Sequence, residues 1–387
     1  MAKIDLSLTF QRFFESEKTG GFLLIVATLC ALIFANSSFS EQYHHFWHID
    51  VGGMSTEHWV NDGLMAIFFL LIGLELEREL YEGELSTRSN ALLPMFAAIG
   101  GMLAPALIHY AFNANTPFQA GMGIPMATDI AFALGILSML GARVPAPLKV
   151  FLVAFAVIDD LGAAIVIALF YTAKISLPFL IAAIGVWLML VMLNRLRVMS
   201  LLVYLLGGLL MWWFTLKSGV HATLAGVALA FAIPFKAKFS ALKSPSNRLE
   251  HYLHQPVAFV ILPIFALANT GIVIGTDWFA SLINSTNSVG IMAGLLVGKS
   301  IGVFAFAKIA IALGVCELPA GMNFKQIFGV GLLGGIGFTM SIFITNLAFI
   351  GDSELVNAAK MAILLGSLLS GVLGFLWLSI MLGKNKA

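Results

Sequence analysis

The sequence predicts an all-α polytopic membrane protein of twelve transmembrane helices. Three observations carry this. Of the 387 residues, 60% are hydrophobic and only 11% are charged, against about 25% charged in a soluble domain. The apolar residues gather into runs near the roughly 20 residues that a helix needs to cross the hydrocarbon core. The few charges left inside those runs sit at mid-run, where each costs about 2.5–3.5 kcal/mol or more on insertion scales.

Composition also excludes classes. The net charge of +1 gives no reason to expect nucleic acid as a partner. Cys30 and Cys316 form neither a disulfide framework nor a metal-ligand spacing, and no cofactor is expected. Asp5, Glu15 and Glu17 precede the first apolar run, where a cleaved signal would have a purely basic region, so none is expected.

In chain order the runs are about Gly21–Phe34, Trp59–Leu76, Ala91–Phe112, Ala120–Leu140, Leu148–Ala173 and Pro178–Leu193. Then follow Leu201–Leu216, Val220–Phe235, Pro256–Val273, Val289–Ala307, Ile327–Ile350 and Leu355–Leu382. The seventh and eighth are separated only by Lys217, Ser218 and Gly219. An even count puts both termini on one side. With that side cytoplasmic, 17 of the 21 Lys and Arg fall in inner segments and 3 in outer ones, with Lys299 inside a span; this is the positive-inside pattern. The first outer loop, Asn36–His58, carries Val51-Gly52-Gly53 between aromatic, alternating stretches, which predicts a short β-hairpin. Its His44, His45 and His48 read as solvated, because no acid or cysteine completes a ligand set.

The fifth run holds the strongest signal. Asp159 and Asp160 stand side by side midway between Lys149 and Lys174, in an otherwise uncharged and mostly apolar stretch. Intramembrane acids mark ion or proton pathways, so this pair reads as an ion site. Successive residues of a helix point about 100° apart, so one aspartate can face an ion path while the other faces a partner.

The fourth and eleventh runs are interrupted. In the fourth, Gly121, Gly123 and Pro125 precede Thr128 and Asp129; in the eleventh, Gly329, Gly331, Gly334, Gly335 and Gly337 precede Thr339 and Ser341. Proline removes a backbone donor, and open backbone at membrane depth is tolerated only inside protein or along a watery cavity. Each interrupted run is the middle of three spans, third to fifth and tenth to twelfth. Such matched interruptions point to the midplane site of a secondary transporter. Broken helices expose dipole ends: Asp129 can offset the positive N-termini, and Lys299 the negative C-termini or an aspartate. Lys299 lies too far from either end of its run to snorkel easily.

Elsewhere, Glu75, Arg78 and Glu79 share one helix face by their i, i+3, i+4 spacing. Glu250, His251 and His254 stand at the entrance of the ninth run, and His221 opens the eighth. Histidine titrates near physiological pH, so these residues fit either an interface belt or a pH response.

As a set, ATDIAFALG, AVIDDLGAAIVIALFYT, LKSGVHATLAG, RLEHYLH, LLVGKSIG and GIGFTMSIF resemble the NhaA family of bacterial sodium/proton antiporters, from about Phe13 to the twelfth run. The family is itself a standard case of an inverted-topology repeat, so that part of the fold, spans 3–5 and 10–12 with two broken helices crossing at mid-membrane, is implied by the resemblance. The resemblance implies a single transporter domain over residues 1–387, with core spans at about 91–173 and 289–382. It implies exchange of sodium, and also lithium, for protons at Asp159, Asp160 and Thr128. Asp129 and Lys299 compensate charge, with Lys299 paired to the first aspartate. Glu75, Arg78, Glu79, Glu250, His251 and His254 match positions of pH activation. The implied protein is a homodimer joined through the outer-loop hairpin, in the lipid bilayer of the bacterial inner membrane. Ser300 departs from the pattern, which has proline after the lysine, and that bears on the local helix geometry.

Rival readings fit less well. An intramembrane protease built on Asp129 and Asp160 would carry Tyr-Asp and Gly-x-Gly-Asp patterns, which are missing. A photopump with a Schiff-base lysine has seven spans. A proton-coupled transporter of organic solutes is the remaining alternative, and it predicts that sodium alone moves no protons.

Overall fold

In the computed structural model, residues 8–172, 175–235, 244–276 and 278–383 are described. Lys3, Lys174, Lys236, Lys238, Lys243, Lys384 and Lys386, which enter the charge count, lie outside them. The described chain is helical, and eight helices are long and apolar enough to cross a membrane, or eleven when each of three bent pairs is taken as one span. The expected run at Val220–Phe235 makes the difference from twelve. It forms only the seven-residue helix Leu224–Ala230. Pro234 follows, and the carbonyls that the helix leaves open are taken by side chains: Trp187 Nε1 donates to Ala228 O at 2.8 Å and Asn194 Nδ2 to Ala232 O at 3.0 Å.

The expected β-hairpin is not seen. Ser40–His48 is an α-helix, because its aromatic residues repeat at helical rather than strand spacing. Tyr43 and Trp47, four apart, stack edge to face, and the Tyr43 hydroxyl donates to Leu267 O. Only a single antiparallel bridge, Asp50 to Ser55, remains. It closes over Gly52 and Gly53, both at positive φ (68° and 87°), a conformation glycine adopts without steric cost.

The chain divides into two compact units. One comprises residues 1–32, 87–163 and 272–387; the other comprises residues 33–86 and 164–271. In the first unit, packing rests on small residues. A Cβ at Gly100 would collide with Gly302 O, and one at Gly302 with Gly100 O, so the helices Arg88–Asn113 and Lys299–Ala312 touch backbone to backbone. Close approach through glycine is how membrane helices associate where no water drives them together. In the second unit the short helix is seated the same way: a Cβ at Gly226 would meet Ala66 O. Trp212 Nε1 donates to Asp62 O at 2.8 Å, within the π-helical turn Trp59–Leu64.

Candidate ion site

The two interrupted runs of the first unit are bent at their breaks. Pro117–Met126, a 3₁₀ helix, and Ile130–Met139 meet at 44°, and Phe324–Gly334 and Phe338–Ala348 at 48°. Glycine and proline release the backbone at each break, and the breaks then satisfy one another. Asp129 N–H donates to Ile336 O at 2.5 Å, Thr128 Oγ1 to Gly334 O at 2.8 Å, and Ser341 Oγ to Ile124 O at 2.6 Å.

Asp129 serves two helix N-termini at once. Its Oδ1 accepts from Phe132 N at 3.2 Å, and its Oδ2 from Thr339 N at 3.2 Å and Thr339 Oγ1 at 2.7 Å. A carboxylate there is favoured both by the open N–H groups and by the positive dipole ends. Lys299 stands at the opposite pole. Its Nζ donates to Asp159 Oδ1 and Oδ2 at 2.7 and 2.8 Å and to Met126 O, the last carbonyl of the first half-helix. The ammonium lies 5.6 Å from the centre of the Phe155 ring, close enough for a cation–π contribution.

Lys299, Asp159 and Thr128 are fully buried, and Asp129 and Asp160 nearly so. A buried ion pair is held by geometry and added hydrogen bonds more than by net Coulomb gain, and this one has both. Helix Ala146–Phe170 supplies the aspartates. Lys299 follows a π-helical turn, Gly294–Gly298, whose wider loop carries the Lys299 N–H to Gly294 O. Ser300 fits that geometry: its hydroxyl donates back to Leu296 O at 2.7 Å and Val297 O at 3.2 Å.

The second unit gathers a separate charged cluster. Arg78 Nη1 pairs with Glu79 at 2.8 Å and Arg78 Nε with Glu250 at 2.7 Å, which unites two segments remote in sequence. Glu75 acts on Arg78 as a nearby charge, and His254 on Glu250. His251 is exposed and turned to Tyr252 instead. His221 is elsewhere, with Nε2 2.7 Å from Tyr171 O. Sequence reasoning missed Glu77. It is 4% exposed and accepts from Ser246 Oγ at 2.6 Å, so a third buried acid joins Glu75 and Glu79 in this region. The available signal was an acid on the apolar part of a span; the i, i+3, i+4 spacing of its neighbours drew attention away from it. Among the described residues no three His, Cys, Asp or Glu side chains gather as metal ligands.

Interrupted helices that meet around a buried lysine and aspartates, in a chain of apolar spans, are the build of a secondary active transporter. Comparison with known proteins narrows the class. The family model described as Na+/H+ antiporter 1 matches residues 11–378, and the chain belongs to that family. It is 64% identical over 375 residues to a Na(+)/H(+) antiporter NhaA of Dechloromonas aromatica, covering 97% of this chain and 96% of that one. It is 57% identical to a protein of that name from Cytophaga hutchinsonii, over 96% and 95% of the two chains. A further relative of the same name, from Aliivibrio salmonicida, is 50% identical over 99% and 100%.

Proposed function

We propose that the protein exchanges cytoplasmic sodium, and also lithium, for external protons across the bacterial inner membrane. In this reading both termini are cytoplasmic. The broken runs are the centres of an inverted-topology repeat, and the seven-residue helix Leu224–Ala230 with its flanks takes the place of a twelfth span. Two copies form the working dimer through the outer segment around Ser40–Ser55.

The observation that carries the reading is the juxtaposition of two adjacent buried carboxylates with one lysine, Asp159 paired to it and Asp160 beside it on the helix. A hard cation takes oxygen ligands, and Asp160, Asp159 and Thr128 supply them. Burial and like charge disfavour two bare carboxylates side by side. Sodium therefore enters as protons leave, and protonation expels sodium. If such a site opens alternately to each side, this competition is antiport. If both carboxylates release a proton for one monovalent ion, each cycle moves net charge, and on that stoichiometry the exchange is electrogenic. Deprotonated aspartates bind sodium better, so activity rises towards alkaline cytoplasmic pH. The cluster of Glu75, Arg78, Glu79, Glu250 and His254 adds to that response, because interacting groups titrate together.

The test is proton flux on sodium addition to vesicles reconstituted with the protein. Sodium and lithium should each drive protons out of the site and alter internal pH, and Asp160→Asn should abolish the signal. Protons moved by an organic solute and not by sodium would replace this reading with the solute transporter.

A further inference from the structure

At the Asn113 end of the span Asn90–Asn113 lies a second buried polar cluster, which the exchange chemistry above does not use. His109, Asn113, Asn287 and Ser288 are all fully buried. His109 Nε2 lies 3.0 Å from Asn287 Oδ1. The Asn113 amide donates to His109 O at 3.0 Å and Thr286 O at 3.2 Å, with a longer 3.4 Å approach to His109 Nε2. These bonds occupy the Asn113 donors and one edge of the imidazole. Four atoms then have no protein partner: His109 Nδ1, Asn113 Oδ1, Asn287 Nδ2 and Ser288 Oγ.

The walls are close. A Cβ at Gly121 would lie 3.1 Å from His109 Cε1, and one at Gly290 3.1 Å from His109 Cδ2 and 2.7 Å from Asn113 Nδ2. The groups facing the imidazole from its own helix and from the two segments packed on it are Asn113, Gly121, Asn287 and Gly290. None is charged, and His109 is the titratable member of the cluster.

The chemistry of the four atoms selects the ligand. Asn113 Oδ1 is an acceptor, Asn287 Nδ2 a donor, and Ser288 Oγ and His109 Nδ1 serve as either. A bare cation would use acceptors alone and would be met here by a donor. Exchanging the oxygen and nitrogen of Asn287 reverses which atom donates but leaves the mixture intact. Water matches such a mixture, since a buried water takes about two to four polar partners among groups the protein leaves unpaired.

Placement gives the water a use. Pro105, one turn earlier on the same helix, is seated on Gly298: a Cβ there would lie 2.6 Å from Pro105 Cα. At 1.5 Å rise per residue His109 is about 6 Å further along that axis. Gly121 belongs to the half-helix Pro117–Met126, whose last carbonyl receives Lys299. The cluster thus abuts both segments that hold the core lysine.

We propose that His109, Asn113, Asn287 and Ser288 form a buried water site, and that His109 relays through it the protons exchanged at Asp159 and Asp160. The neutral ring accepts a proton at Nδ1 from hydronium, leaving water, and returns that proton to a further water, which restores the neutral ring. The relay rests on the antiport reading; the water site does not. The experiment has two arms. Protein labelled with nitrogen-15 in histidine, in lipid vesicles, is examined by solid-state NMR for magnetisation transfer from water to the imidazole, with His109→Gln assigning the signal. Transfer to the His109 ring is expected, with Ser288→Ala weakening it while the His109–Asn287 bond stays. A His109 ring dry in the wild type overturns the water site. In the second arm, His109→Gln in vesicles should lower the maximal rate of sodium-driven proton movement about tenfold at unchanged half-saturating sodium. The loss should be greatest where the proton-supplying side is alkaline and protons are scarce, a dependence that a merely structural defect would lack. Wild-type rates in a variant that remains folded overturn the relay. If the wild type moves no protons with sodium, antiport and relay fail together, and the NMR arm still decides the water site.

Discussion

Each unit of the molecule holds one basic side chain among carboxylates, and the two arrangements differ in kind. In the first, Lys299 is fully buried and gives two bonds to one acid, Asp159, and a third to a backbone carbonyl. In the second, Arg78 keeps a third of its side chain exposed and divides its nitrogens between Glu79 and Glu250. Lysine is a compact point charge that can lose its proton when buried, whereas arginine holds a planar fork and stays charged. The lysine pair can therefore take part in a proton cycle, and the arginine cluster can answer pH only through its acids and His254.

The largest effect that would sharpen this contrast is at the aspartates. Asp160→Asn or Asp159→Asn should lower sodium-driven proton movement at least a hundredfold in vesicles, with insertion and folding retained; wild-type exchange in both would remove the ion site from this helix. Next, Lys299→Ala strands a buried carboxylate, and breaking a buried pair costs about 3–5 kcal/mol. Thermal unfolding in detergent should show the loss, and combining it with Asp159→Asn should cost less than the sum. Strict additivity would mean that the pair is not coupled. Arg78→Ala should cost only about 1–2 kcal/mol, since its exposed part is screened, but it should displace the pH profile of transport. Arg78→Lys should recover charge without the fork and rescue that profile only in part.

The smallest effects separate the members of the cluster. His254→Ala should shift the pH profile with little change in maximal rate, and His251→Ala, exposed as it is, should leave the profile alone. A shift with His251 and none with His254 would reverse the assignment. Ser246→Ala removes the hydrogen bond to buried Glu77 and should cost about 1 kcal/mol; Glu77→Gln at the same site should cost less, because the amide is cheaper to bury than the acid.

What could be read from the chain follows the same contrast. Asp159, Asp160 and Lys299 stand out because charge in an apolar run is costly, and the breaks at Ala127–Asp129 and Gly335–Gly337 because glycine and proline cluster just ahead of polar residues there, whereas Pro94 and Pro105 lie within an unbroken helix. Glu77 and Ser246 were not paired in advance, since nothing local ties residues so far apart. Neutral Asn113, Asn287 and Ser288 carried no signal at all at the ends of ordinary spans. The eighth run reads as a span by hydropathy, but its helix covers only seven residues ahead of Pro234 and is seated through Gly226. The outer loop departs from a hairpin because Gly52 and Gly53 do make a turn, while the aromatic stretch before them follows the helical period.

Gly100 and Gly302 offer a last consequence, for anyone who would randomise this protein. In most packed interfaces a large residue on one side can be traded for a small one on the other. Here each Cβ would strike the opposite backbone carbonyl before it met any side chain, and a carbonyl cannot be made smaller, so no exchange of volumes restores the fit. A library varied at both positions and selected for salt tolerance should return glycine at both, and the two sites should show no compensating pairs.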